Sequence, residues 1–151
     1  THLNLNLRLR GGISDGVLPL QRAFELGGPS TLPAYRYKEF TGSSAALLNA
    51  EFIIRSTIAG NARGWAKRIL TSTNIILFAD AGTTNQITPL STEDVTHGAL
   101  PAGFGDAFLD DWKSDVGIAI GSVDGDFRIG AAWRLDRSET PTFIIRFTRP
   151  F

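Results

Sequence analysis

Glu51 and Asp80 are the carboxylates that the sequence singles out, one in Asn49-Ala50-Glu51-Phe52 and the other in Phe78-Ala79-Asp80-Ala81-Gly82. Two such groups brought together can exchange protons as general acid and base. They can equally be the fixed anions of an ion-pair network, and the supply of cations at the same alternating spacing (Arg8, Arg128, Arg146) favours the network. Other chemistry finds less support. His2 and His97 are isolated, no Ser, His and Asp stand at a nucleophilic spacing, and no glycine-rich phosphate loop precedes a helix. Asp106, Asp110, Asp111 and Asp115 cluster without the ligand spacings of a calcium loop. Cysteine is absent, which removes disulfides and thiolate metal sites. The formal charge is zero with no basic tract, which argues against nucleic acid as a partner. The expectation is a protein that is not an enzyme and holds no cofactor or metal.

The elements that must position these groups are strands. From Phe127 to Leu135, Phe127, Ile129, Ala131, Trp133 and Leu135 alternate with Arg128, Gly130, Ala132 and Arg134. After Asp136 to Pro141 the alternation resumes with Phe143, Ile145, Phe147 and Phe151 on one face, and Ile144, Arg146 and Thr148 on the other. Thr1 to Arg10 sets Leu3, Leu5, Leu7 and Leu9 against Asn4, Asn6, Arg8 and Arg10. A period of two is a strand with one oily face. No helical stretch or second sheet is legible to cover that face, and no run approaches the roughly 20 apolar residues of a spanning helix. What remains is an all-β, antiparallel transmembrane β-barrel, apolar towards lipid and polar within.

Further strands read at Leu18 to Gly27, at Leu48 to Arg55, from Asn74 through Phe78 to Gly82, and at Asp115 to Val123, where Val116, Ile118 and Ile120 point outwards and Gly117, Ala119 and Gly121 inwards. Gly11 to Gly16 reads as a compact turn and Asp124-Gly125 as a two-residue hairpin. Ser56 to Thr73 reads as a connecting loop, with a short amphipathic piece around Trp65, Lys67 and Arg68 as the alternative. Gly28 to Ser44 and Thr83 to Trp112 read as long loops.

Gly27-Gly28, the aromatic-rich loop that follows and the strand carrying Asn49 and Glu51 together resemble the bacterial surface-antigen superfamily of outer-membrane assembly factors, as does Phe78-Ala79-Asp80-Ala81-Gly82. In that family a double glycine ends a strand and a loop with a Leu/Val-Arg-Gly-Tyr/Phe tetrad folds back into the lumen. Inward Asn and Glu follow on the next strand, and an inward Asp on the one after receives the loop arginine. Gly27, Gly28, Tyr35, Asn49, Glu51 and Asp80 match, whereas Leu32-Pro33-Ala34-Tyr35 stands at the tetrad without its arginine and glycine. The resemblance implies that Arg36 is the donor for Asp80, with Tyr35 the second choice. It also implies a bacterial outer-membrane location, and insertion or secretion of other proteins through lateral opening between first and last strands.

The count is about seven strands, with eight expected, in one domain over residues 1–151 that forms the C-terminal part of a longer precursor. With the C-terminus on the periplasmic side, short turns fall inside and long loops outside, and Thr1 falls on the outer side with an unpaired edge. A preceding strand, another copy, or a further strand within Ser56 to Thr73 would cover that edge. The inward set of Asn4, Arg8, Glu25, Glu51, Asp80, Arg128 and Arg146 mixes both signs, which favours a plugged, poorly conducting interior. Two functions stay open: the barrel of an insertion or translocation factor, and a structural barrel or anchor without transport activity. Expected partners are the lipid bilayer, the assembly machinery that reads the terminal strand Phe143, Ile145, Phe147 and Phe151, and client barrels or another copy.

Overall fold

The computed structural model describes residues 2–13, 18–19, 23–55, 63–64, 72–85, 99–100, 111–123 and 127–147. These form ten strands: β1 (His2–Ile13), β2 (Leu18–Pro19), β3 (Phe24–Leu26), β4 (Phe40–Gly42), β5 (Ser44–Arg55), β6 (Thr73–Thr84), β7 (Ala99–Leu100), β8 (Lys113–Ser122), β9 (Phe127–Arg134) and β10 (Thr142–Phe147), with no helix among the described residues. Six of them make one antiparallel sheet in the order β1-β5-β6-β8-β9-β10, so the sheet is a meander in chain order with β1 and β10 as its two edges. It is not closed into a barrel. β2 pairs with β7, and β3 with β4, as two small ladders apart from the sheet.

The alternation read from the sequence sorts the two faces. On one face the cross-strand neighbours run Leu3, Ile54, Ile75, Ile120, Ile129, Ile145, and one step along, Leu5, Phe52, Leu77, Ile118, Ala131, Phe143. These apolar rows cross all six strands and are left open: Leu3, Leu5, Leu7 and Leu9 are 59–77% exposed, and Phe143, Ile145 and Phe147 also protrude. A folded chain that leaves such a contiguous apolar face uncovered presents it to another apolar phase or partner. The opposite face carries the polar set and the small residues Gly117, Ala119, Gly121, Gly130 and Ala132, and it is covered by the chain between β3 and β4. Leu32, Ala34, Tyr35, Leu26 and Phe40 from that excursion pack with Leu47, Ile76, Phe78, Ala119, Ala132 and Ile144 into the core.

Three expectations are corrected. The described residues of Leu18 to Gly27 do not join the sheet; β1 pairs directly with β5, while Phe24–Leu26 pairs with Phe40–Gly42. Leu26 is buried in the core instead of facing outwards, which is what removes this segment from the apolar face. Gly11 and Gly12 are not a turn but lie in β1, opposite Ala46 and Ala45. Gly12 leaves room for the Phe24 ring, which a side chain there would have to displace. Among the described residues the sheet therefore has six strands, against an expectation of about seven. With one strand fewer the parity reverses: His2 lies opposite Arg55, at the end of the sheet that also holds Thr73, Ser122 and Phe127. The long excursions 14–43, 85–112 and 135–141 all leave from the other end. Residues 56–62, 65–71, 86–98, 101–110, 124–126 and 148–151 lie outside the described residues, and with them the amphipathic alternative at Trp65, His97, the Asp124-Gly125 hairpin and Phe151.

Candidate functional site: the infolded loop and its seat

The excursion 27–39 is a closed loop on a two-stranded neck, β3 and β4. Gly27 and Gly28 open it with φ of 109° and 92°, in the left-handed region where a side chain is strained. At Gly27 a Cβ would also stand 2.2 Å from the Arg36 carbonyl oxygen. The loop then satisfies its own backbone: Gly28 N donates to Leu32 O at 3.0 Å and Tyr35 O at 3.2 Å, and Gly27 N to Thr31 Oγ1 at 2.8 Å. Arg36 N donates to Glu39 Oε2 at 2.7 Å, and Lys38 closes the neck with an ion pair to Glu25 at 2.8 Å. A loop that resolves its own donors and acceptors can enter a dry interior without leaving polar groups stranded.

Its seat is a row of polar residues that crosses five strands in register: Arg8, Asn49, Asp80, Asp115 and Arg134. Asp115 is fully buried, and its Oδ2 accepts from Ala34 N at 2.8 Å. Asn49 Nδ2 donates to Thr31 O at 3.1 Å and to Asp80 Oδ1 at 2.6 Å. Arg10 reaches Ser30 O at 2.7 Å and Asn49 Oδ1 at 3.1 Å. The Arg134 guanidinium lies 4.2 Å from the centre of the Tyr35 ring, donates to Glu39 at 3.2 Å and forks onto Asp136 at 2.9 Å through both Nε and Nη2. This fork holds the Asp136 carboxyl below its usual range. From β10, Thr142 Oγ1 donates to Ala34 O at 3.3 Å. Below this row Glu51 pairs with Arg128, whose guanidinium stacks 4.8 Å over the Phe78 ring.

Gly27, Gly28 and Tyr35 lie in the excursion, Asp80 in the row beneath it held by Asn49, and Glu51 one step further along, paired with Arg128. Arg36 does not join them. Its side chain is exposed and its peptide N–H donates to Glu39, so the proposed Arg36–Asp80 pair does not form. The excursion is pinned with Thr31 and Ala34 against the wall, which turns Arg36 away, and Asn49 takes the Asp80 oxygen instead. Glu25 is at the neck, outside the interior set. Sequence reading missed Arg10, Asp115 and Arg134 as seat residues. The parity of Asp115 with Gly117, Ala119 and Gly121 already put it on the inner face, but its neighbours Asp110 and Asp111 drew it into a loop cluster.

Tyr35 offers a measurement of the docked state. Its hydroxyl donates to Ser114 O at 3.0 Å and its ring meets Phe40 edge-on at 5.3 Å. Burial, reinforced by the Asp136 carboxylate, pushes its pKa up to about 12. The docked loop therefore favours the neutral phenol. That stabilisation is complete below the free tyrosine value of about 10 and is lost as pH rises towards 12. In a Tyr37→Phe protein, where Tyr35 is the remaining tyrosine, tyrosinate absorbance should appear only near pH 12; an ordinary midpoint would mean that the loop is undocked.

What the arrangement can do follows from its geometry. The described carboxylates on the concave face are held by amides, guanidinium groups or a backbone N–H, and no group of three metal-ligating side chains occurs among the described residues. This is a fastening, with one end of the sheet stoppered by the loop. Comparison with known protein families and with curated proteins finds no match to this chain.

Proposed function

We propose that the chain is a sector of an outer-membrane β-barrel of the insertion and translocation type, with its apolar face in lipid and its interior stoppered by the loop 27–39. The observation that carries this reading is the opposition of the two faces. Uncovered apolar rows cross six strands on the outside, and the ion pairs, the polar row and the folded-in loop lie on the inside. A sheet built for water has the reverse arrangement. Strand length agrees: β1, β5 and β6 have 12 residues each, and about ten suffice to cross an apolar band of roughly 25 Å at a tilt near 40°.

An eight-stranded barrel has room for side chains alone. An interior that holds a 13-residue loop calls for more strands, supplied by the same chain or another, so the free edges of β1 and β10 are where they would join. The loop and its polar seat support the resemblance to assembly factors residue by residue at Gly27, Gly28, Asn49, Glu51 and Asp80. The alternative of a structural barrel or anchor is favoured by one contact: the guanidinium that reaches the seat beside Asn49 comes from Arg10 on the wall, not from the loop.

The test is reconstitution. Refolded with lipid vesicles, the protein should enter the membrane fraction and migrate differently on a gel before and after boiling. Vesicles carrying it should speed the folding of an unrelated barrel. Solubility as a folded monomer without detergent would end the membrane reading; a folded, embedded protein with no effect on the unrelated barrel would leave the structural one.

A further inference from the structure

Between the loop and the end of the sheet where β1 begins lies a cavity of about 930 Å³. Five guanidinium groups line it (Arg8, Arg10, Arg55, Arg128 and Arg146) against two carboxylates, Glu51 and Asp80. The carboxylates are already engaged, Glu51 by Arg128 and Asp80 by Asn49. Arg8, Arg55 and Arg146 have no carboxylate partner among the described residues.

The placement of these cations carries the argument. Arg146 stands directly opposite Arg128 in the β9–β10 ladder, and like charges directly opposite destabilise a sheet. The same cross-strand row continues through Gly121 and Asn74 to Arg55 and His2, so the rim of the cavity is a row of cationic and polar groups with no carboxylate in it. Although β1 and β10 are opposite edges, Arg8 and Arg10 of the one and Ile144 and Arg146 of the other line this same cavity, so the curl of the sheet gathers both edges around one space. Unbalanced cations in a concave wall repel each other when empty and converge on an anion when filled.

We infer that this cavity is a binding site for an oxyanion, a phosphate-bearing group held by Arg55 and Arg146 at the rim with Arg8 and Arg10 behind. The site depends on the concave face alone and goes beyond the membrane reading. The phosphate can come free from solution or on a lipid headgroup.

The experiment uses the full chain refolded in a non-ionic detergent, with inorganic pyrophosphate as the soluble probe and phosphatidic acid in the micelle as the lipid-borne one. Thermal unfolding is followed at ionic strength matched with sodium chloride. Pyrophosphate should raise the midpoint, and Arg55→Gln or Arg146→Gln should weaken its affinity roughly tenfold or more, as loss of a charge-assisted hydrogen bond does. Without any anion Arg146→Gln should melt no lower than the parent, because it relieves repulsion at Arg128 and Arg10. A response to phosphatidic acid but not to pyrophosphate assigns the site to headgroups. No response to either, or the same response in both variants as in the parent, overturns the proposal. Gel mobility before and after boiling reports the barrel state in the same samples, so failure of the anion site and failure of the membrane reading are read separately.

Discussion

Asp115→Ala should release the loop 27–39 from the wall. The substitution removes the acceptor of a 2.8 Å hydrogen bond from Ala34 N, in a place where both residues are buried and water cannot substitute. Leaving the buried Ala34 N–H without an acceptor costs roughly 1–3 kcal/mol, so the undocked fraction should rise roughly five- to a hundredfold. Arg36 and Lys38 are exposed on the loop and supply the assay. Trypsin cleavage there follows the population of the open form when closing is fast, and should accelerate by about the same factor. Asp115→Asn keeps an oxygen for Ala34 and an N–H that can face Asp80, its neighbour in register, so this variant should hold the loop at least as well as the parent. Equal tryptic half-lives for Asp115→Ala and the parent would show that the remaining contacts of Arg10, Asn49, Tyr35 and Arg134 suffice without this one.

The second large effect is expected on the outside of the sheet. Leu7 is 67% exposed and lies in the row Leu7, Ala50, Ala79, Val116, Trp133, near the middle of the apolar face. If that face meets lipid, Leu7→Arg should cost about 2–4 kcal/mol in folding from urea into vesicles, as an arginine at mid-bilayer does. If the face meets water, the same substitution is an ordinary surface change, within about 0.5 kcal/mol. A denaturant titration in vesicles separates the two outcomes. Leu3→Arg, closer to the end of the strand, should cost less, because the penalty falls to about 0–1 kcal/mol at the interface.

How much of this was legible in the sequence depended on the period. Strands whose alternation is uninterrupted, β1, β8, β9 and β10, were placed with their faces correctly assigned, since a two-residue repeat with one oily side admits one orientation. The segment 18–27 misleads because Leu20, Phe24 and Leu26 mimic the same repeat, yet Leu26 packs into the core beside Gly82 and Phe24 lies on Gly12. Adjacent glycines open what reads as a turn over 11–16, where Gly12 makes room for an aromatic ring, and read as a strand end at 27–28, where both adopt positive φ. Local composition does not separate those uses; what packs against each glycine does. The site was half legible. Gly27, Gly28, Asn49, Glu51 and Asp80 came from motif likeness, but which cation reaches the seat depends on how deep the loop enters, and the sequence has no local mark for that. Arg36 stands beside the tetrad in sequence, but Arg10 is the cation that reaches Asn49.

The leucines of β1 recur at every second position, so sliding this edge strand by two residues along β5 would leave its greasy profile unchanged. Hydrophobicity alone cannot tell the two alignments apart. The distinction rests on Arg10, whose reach to Ser30 and Asn49 exists in one alignment only, and on Gly12, which leaves room for the Phe24 ring. A stopper that enters from above thus doubles as the key that indexes the outermost strand, and whatever draws the loop out would also leave that strand free to slip.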